Sequence, residues 1–287
     1  MPTVSVIIPA KNEALNLKKF LPSLIAKCSN YEIIVVNDGS NDETSSLLED
    51  LPIMEVKHPY SKGNGAAIKS GARAASSEIL VMMDGDGQHS PDDIPILLSE
   101  LEKGYDMVVG ARSRKGQAGM VRWGANLFYN KFSSWMTGHK IADLTSGFRA
   151  VRASKFKEFI HLLPNGFSYP TTSTMAFFRA GYSVAYKPIN VNKREGKSHI
   201  SLLKDGVRFL LIIFKIGTLF SPLKLFLPVS FSVFLLGVSY YAYTYISIGR
   251  FTNMSALLFT TSLIIFMVGL VSEQVTNLMY IGRQSKD

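Results

Sequence analysis

Short apolar runs alternate with stretches of helical periodicity over the first hundred residues. The runs Val4–Ile8, Glu32–Asn37, Ile53–Lys57, Ile79–Met83 and Met107–Gly110 predict strands, and the stretches near 13–27, 41–50, 64–75 and 91–102 predict helices. The last of these begins with Ser90 as a cap, Pro91 at the first helical position and Asp93 completing a capping box. Near-continuous apolar strands joined by helices indicate a parallel sheet covered on both faces. Further on, residues 112–120 read as a basic loop, helices are predicted near 121–137, 153–162 and 170–180, and a strand near 182–189. Residues 192–201 are polar and basic and predict a loop.

The pattern then changes. From Ser201 to Phe220, Lys204, Arg208 and Lys215 share one face of a helix otherwise built from Leu, Ile and Phe, which fits a helix lying in a membrane interface. Leu225–Ile248 and Phe251–Val271 are uncharged; the first is about 36 Å long as a helix, enough to span a bilayer. Lys215, Lys224, Arg283 and Lys286 flank the outer ends and only Arg250 occupies the connection. The positive-inside rule then places both termini in the cytoplasm. The division expected is an α/β domain at 1–200, an interfacial helix at 201–220 and a two-helix anchor at 225–281. Glu273, Gln274 and Asn277, near the end of the second span, are read as facing a helix–helix or subunit contact, which allows for a homo-oligomer.

Charge is divided as unevenly as hydropathy. Residues 1–106 hold nine basic against sixteen acidic residues, residues 107–157 ten basic against the single acid Asp143, and residues 187–224 eight against two. Beside apolar spans such a basic excess favours membrane surface and phosphate over nucleic acid, for which there is no motif. One cysteine, Cys28, excludes an intramolecular disulfide and a cysteine-based zinc cage. The opening run Thr3–Pro9 is strand-like and too short for the apolar core of a signal peptide, so the domain is not expected to cross a membrane.

The chemistry gathers at the strand ends, where ligands of such sheets bind. Asp84-Gly85-Asp86-Gly87-Gln88-His89 follows a strand directly. Two carboxylates one residue apart can bind a hard divalent cation that in turn binds a diphosphate, and the glycines let backbone approach closely. His89 is a further candidate metal ligand. Pro9-Ala10-Lys11-Asn12-Glu13 follows the first strand and Asn37-Asp38-Gly39-Ser40 the second; Asp143 to Arg149 and Arg194-Glu195-Gly196-Lys197-Ser198 come later. Lys62-Gly63-Asn64-Gly65 is read as a turn that starts a helix. Asp143 could orient Arg149 or an attacking phosphate, or cap the turn that follows it.

Taken in order, these motifs resemble family 2 glycosyltransferases, and within them the dolichol-phosphate mannose synthase-like branch that glycosylates polyprenyl phosphates. The resemblance covers roughly residues 3–200, and two C-terminal spans match prokaryotic members of the branch. It implies a GT-A-like, doubly wound, mostly parallel α/β domain with a nucleoside-diphosphate sugar, UDP- or GDP-linked, as donor. Pro9, Glu13 and Asp38 would line the nucleoside pocket, together with Lys11, where many relatives carry an aromatic residue. Asp84, Asp86 and Gln88 would hold Mg²⁺ or Mn²⁺ and the donor, Arg112 and Arg122 the acceptor phosphate, and Arg194 and Ser198 would close on the diphosphate. The plasma membrane of a prokaryote is the expected location.

That reaction is chemically coherent. A metal neutralises the charge that develops on a leaving diphosphate, and a phosphate monoester is already largely ionised at neutral pH, so no strong general base is needed. The Gln-x-x-Arg-Trp sequence of processive polysaccharide synthases is absent. Two rivals remain: transfer to a hydroxyl of a lipid or glycan, and an inactive nucleotide-sugar-binding membrane subunit.

Overall fold

The computed structural model describes residues 2–112, 120–166, 168–191, 214–215 and 217–281. They form two compact units, Met1–His199 and Ile200–Asp287.

In the first unit the chain runs β1 (Val4–Ala10), α1 (Ala14–Lys27), β2 (Glu32–Asn37), α2 (Thr44–Glu49), β3 (Met54–Lys57), α3 (Asn64–Ala74) and β4 (Ile79–Met82). A 3₁₀ turn (Pro91–Asp93), α4 (Ile94–Leu101), β5 (Met107–Arg112), α5 (Met120–Thr137), β6 (Arg149–Arg152), α6 (Ala153–Glu158), α7 (Tyr169–Arg179) and β7 (Val184–Ile189) complete it. The strands make one sheet in the order β3-β2-β1-β4-β6-β5-β7. All neighbours are parallel except β6, which is antiparallel to both β4 and β5. Ile7, Ile8, Ile34, Val35, Leu80 and Val81 are fully buried, as expected of central strands covered on both faces.

Three features depart from the sequence pattern. β6 is absent from it, because a run of four residues that begins and ends on arginine, Arg149 and Arg152, carries no strand signal. The helix expected over 91–102 is broken into the 3₁₀ turn and α4, and its capping box does not form. The Ser90 hydroxyl accepts from the Asp92 amide at 3.2 Å, while the Asp93 amide donates to the Ser90 carbonyl. Pro95, which has no N–H to offer the Pro91 carbonyl, keeps the first turn from continuing as α-helix. Arg112, expected in a loop, is the last residue of β5.

The second unit is a hairpin of α8 (Pro222–Ile248) and α9 (Asn253–Ile281), both long and apolar enough to cross a membrane, each containing an 18-residue stretch whose mean hydropathy is 1.7 in α8 and 2.2 in α9. Gly249, at φ 69°, ends α8 in the left-handed conformation. Ser230 and Ser262 each donate to the other's backbone carbonyl, at 2.8 and 2.9 Å. Gly237 and Gly269 bring helix backbone against Phe259 and Phe226, close packing of the kind apolar helices use in lipid. Glu273 accepts from the Leu223 amide at 3.3 Å, so an acidic side chain of α9 satisfies one of the orphan donors in the first turn of α8. Of the helix expected over 201–220, residues 214, 215 and 217–220 are helical; its remainder, including Lys204 and Arg208, lies outside the described residues.

Candidate active site

The loops after β1 and β2 are stitched together at the carboxyl edge of the sheet. The Asp38 amide donates to the Ala10 carbonyl at 2.8 Å, the Asn12 amide to the Ser40 hydroxyl at 3.0 Å, and the Asn41 amide to the Asn12 side chain at 2.8 Å. Pro9 and Glu13 are half-buried and Lys11 is exposed at this edge, and Glu13 accepts from the Asn16 side chain. The residues expected to line a nucleoside pocket are thus neighbours.

Asp38 has a different environment from theirs. It is buried, and its carboxylate accepts four hydrogen bonds: from His58 Nδ1 at 2.7 Å and, at 2.8 Å each, the Ser61 hydroxyl and the amides of Lys62 and Gly63. Burial alone would raise its pKa, but these donors outweigh burial and hold it at about 2. A carboxylate offers about four lone-pair sites, and here protein fills them. Asp38 therefore clamps the 58–63 segment, from which Gly63, as expected, opens α3. His58 Nε2 lies 2.8 Å from the Ser70 hydroxyl on that helix, extending the network.

The Asp84–Gln88 loop leaves β4 beside β1. A side chain at Gly85 would meet the Pro9 carbonyl at 2.9 Å, and one at Gly147 would meet Asp84 Oδ2 at 2.7 Å. Close approach of backbone therefore requires glycine at 85, while a methyl group at 147 would push the Asp84 carboxylate aside. Asp86 accepts from the Gln88 amide at 3.1 Å, which bends the loop. The Asp84 side chain is 34% exposed and accepts no hydrogen bond from the described residues; its nearest basic neighbour is His89 Nε2, at 3.7 Å. His89 itself is buried and stacked on Phe148 (4.9 Å, 16°), with Nδ1 unpartnered. It lies behind Asp84 and shares no three-residue metal cluster, since the described residues contain none.

β6 brings the second half of the site alongside. Asp143, buried, receives Arg112 Nε at 2.8 Å and Nη2 at 2.9 Å, a bidentate pair, and Arg112 Nη2 also reaches the Thr145 hydroxyl at 2.5 Å. Asp143 thus pairs with Arg112 and not with Arg149, and it also accepts from the Thr145 amide at 3.2 Å, capping the turn. Burial works against both ionised groups, yet mutual pairing holds Asp143 below and Arg112 above their ordinary pKa values. Asp84 adds to the shift of Arg112, so these groups share one field.

The sequence around Arg149 does not mark it as a site residue. Arg149 is 0% exposed and has no carboxylate partner among the described residues: Nη1 donates to the Pro170 carbonyl and to the Ser173 and Thr174 hydroxyls, and Nη2 to the Ser146 carbonyl. Burial lowers its pKa, opposed by Tyr169, Tyr186, Asp143 and Asp84, but a guanidinium stays protonated. The domain therefore keeps a fixed positive charge beneath the Asp84 and Asp143 loops. Tyr169, whose hydroxyl donates to the Gly147 carbonyl at 3.1 Å, is also buried there, and burial and the charge of Asp84 both raise its pKa. Arg122 belongs to α5 by its backbone, but its side chain, with all of Arg194 and Ser198, lies outside the described residues.

The strand order, the single reversed strand and the carboxylate loop define a GT-A-like α/β domain. Glucosyl-3-phosphoglycerate synthase from Mycobacterium tuberculosis, solved with Mn²⁺, UDP and phosphoglyceric acid, shares this fold, with a TM-score of 0.60 at 20% identity over 75% of this chain and 78% of that one. Residues 5–160 match Glycosyl transferase family 2, and the chain belongs to that family. Residues 221–278 match the GtrB C-terminal hairpin. An undecaprenyl-phosphate 4-deoxy-4-formamido-L-arabinose transferase from Pseudomonas fluorescens is 28% identical over 82% of this chain and 70% of its own length. A polyprenol monophosphomannose synthase from Mycolicibacterium smegmatis is 32% identical over 66% of this chain and 77% of its own. Against a Proteus mirabilis transferase of the first kind, the chain spans about half the relative's length, 48%. The protein is a family 2 glycosyltransferase with two helices apolar enough to cross a membrane, and its relatives are named as undecaprenyl-phosphate sugar transferases and a polyprenol monophosphomannose synthase.

Proposed function

We propose that the chain moves a sugar from a nucleoside diphosphate to a polyprenyl phosphate, with inversion at the anomeric carbon. The observation that carries this reading is the union, in one polypeptide, of a family 2 domain with an apolar helical hairpin. A soluble acceptor needs no such hairpin, and the related transferases are named for lipid-phosphate acceptors.

In this mechanism a phosphate oxygen of the acceptor forms a bond to the sugar's C1 as the bond from C1 to the β-phosphate oxygen breaks, releasing nucleoside diphosphate. Asp84, Asp86 and Gln88 would hold Mg²⁺ or Mn²⁺. A carboxylate that is partly exposed and accepts no hydrogen bond from the described residues fits a hard cation. With no three-residue cage among the described residues, the remaining ligands would come from the donor's phosphates and water. When bound, the metal neutralises charge on the leaving diphosphate. Arg112, its plane fixed by Asp143, keeps Nη1 clear of hydrogen bonds to the described residues and would offer it to the acceptor phosphate, with Arg122 as a second cation. Asp143 acts here as the orienting partner of Arg112. The flanking Lys215, Lys224, Arg283 and Lys286 support an orientation with the catalytic domain and both termini in the cytoplasm of a prokaryotic cell.

Membranes containing the chain, given a panel of radiolabelled UDP- and GDP-sugars with polyprenyl phosphate, should yield a labelled lipid with one of them. Chain-matched polyprenol should remain unlabelled. Efficient transfer to the alcohol would overturn the phosphate acceptor.

A further inference from the structure

Arg149 is a buried cation with no part in the transfer proposed above. β6 lies antiparallel between β4 and β5 and sets Arg149 opposite Met82 on one side and Val109 on the other. Met82 ends the strand that leads into Asp84, so the guanidinium sits under the root of the carboxylate loop. A fully buried charge is ordinarily paired with an opposite one, but here the surroundings are neutral. Besides the Ser146 and Pro170 carbonyls, the hydroxyls of Ser173 and Thr174 solvate it at 2.8 and 3.1 Å, and the Tyr169 ring lies 5.8 Å from its central carbon. Thr171, Thr172, Ser173 and Thr174 are all buried, so α7 brings hydroxyls, not a carboxylate, into this part of the core.

Nε of Arg149 is buried with no partner among the described residues. A side chain kept only as a hydrogen-bond hub would use that donor as well, and one kept only as half of an ion pair would have an acid beside it. Its charge acts at longer range. Asp143 and Asp84 both feel it, but Asp143 is already paired with Arg112. Asp84 is joined to Arg149 through one intervening segment. Arg149 Nη2 and the Tyr169 hydroxyl hold the Ser146 and Gly147 carbonyls, and Gly147 abuts the Asp84 carboxylate.

We propose that Arg149 is a positioning residue acting through Asp84: its fixed charge offsets one carboxylate of the Asp84–Asp86 pair, so that the pair retains a divalent cation only together with an anionic diphosphate. This rests on the reading of that loop as the metal and donor site. Two carboxylates alone attract a doubly charged cation strongly. With a guanidinium beneath them the site is one negative charge short, and a nucleoside diphosphate makes up the difference. Metal and donor then raise each other's affinity by the same factor.

Mn²⁺ makes this measurable without turnover. Free Mn²⁺ can be followed by electron paramagnetic resonance as it is titrated into full-length protein, alone and with UDP or GDP, allowing for the Mn²⁺ that free nucleotide binds. In wild type, one of the nucleotides should tighten Mn²⁺ binding roughly tenfold or more. Arg149→Met keeps the bulk and removes the charge, and should tighten nucleotide-free Mn²⁺ binding roughly tenfold, the order expected of one partly screened charge. The enhancement by nucleotide should shrink to match. Ser173→Asp leaves Arg149 in place and gives Nη1 an acid partner, so it cancels the same charge by another route and should act alike; it also serves if Arg149→Met does not fold. A purely structural role predicts the opposite sign, weaker Mn²⁺ binding as the Gly147 segment loosens. Unchanged or weaker nucleotide-free binding in the folded variants would overturn the proposal, while a wild-type Mn²⁺ site strengthened by nucleotide would leave the donor reading standing. No Mn²⁺ binding to wild type with either nucleotide would overturn both.

Discussion

Replacing Asp38 by asparagine should loosen the 58–63 segment before it affects nucleotide chemistry. The substitution exchanges a charged acceptor of four hydrogen bonds for one carbonyl oxygen and an NH₂ group that faces donors. The carboxyl is held at about 2 against an ordinary 3.8, a displacement worth about 2.5 kcal/mol, and at 4% exposure little of it is screened. In full-length protein the amides of Lys62 and Gly63 should exchange with deuterium roughly 30- to 150-fold faster in the variant. The pH dependence has a definite sign. Because the folded pKa is depressed, the stabilisation is fully present above the unfolded value near 4 and is lost as pH falls through about 2. Wild-type protection should therefore decay in acid, and that of the variant should not follow it. Unchanged exchange at 62–63 together with lost nucleotide affinity would refute the clamp and make Asp38 a direct nucleoside ligand.

Other expectations follow from the same geometry. Asp86→Ala, and EDTA applied to wild type, should each abolish sugar transfer with the protein still folded and membrane-bound; full activity in EDTA would exclude a metal-assisted reaction. Arg112→Lys keeps the charge but loses the fork that meets Asp143, so the apparent KM for lipid phosphate should rise by about one power of ten, equivalent to about 1.4 kcal/mol, with KM for the nucleotide sugar nearly unchanged. Arg122→Ala should raise the same lipid KM by one to two powers of ten, the loss of about 1.5–3 kcal/mol of charge-assisted bonding; unchanged lipid kinetics would remove Arg122 from the acceptor site. Gly147→Ala would place a methyl group 2.7 Å from Asp84 Oδ2, so transfer should fall steeply in a steady-state assay while thermal unfolding changes little.

The central strands could be read directly because β1, β2 and β4 are buried on both faces and so carry near-continuous apolar runs. The hairpin could be read because its composition is that of lipid. β6 could not: the arginine at its start satisfies itself with carbonyls and hydroxyls from α7 and from the loop before the strand, partners that only the folded chain supplies. The polar motifs at the strand ends marked where the site lies, but not what each member touches. Asp38 meets its donors twenty or more residues along the chain, and Asp143 could be matched to Arg112 instead of Arg149 only once β5 and β6 were paired. Ser230 and Ser262 look like incidental hydroxyls in apolar helices until they are found bonded to each other's backbone.

The bidentate contact between Arg112 and Asp143 closes an excursion of the chain between β5 and β6. Its two ends are fixed twice over, by ladder pairing of Met107–Val109 with Arg149–Val151 and by the ion pair just beyond it. Surface substitutions on α5 that spare its buried Tyr129 and Met136 and the Asn130 bonds to Ala142 and Leu144 are therefore expected to leave the sheet register undisturbed. The excursion behaves as an interchangeable cassette, clasped at its base. Under the proposed function this insert would lie on the acceptor side, so one scaffold would gain a new acceptor preference by changing its exposed positions while the Asp84 loop stays as it is.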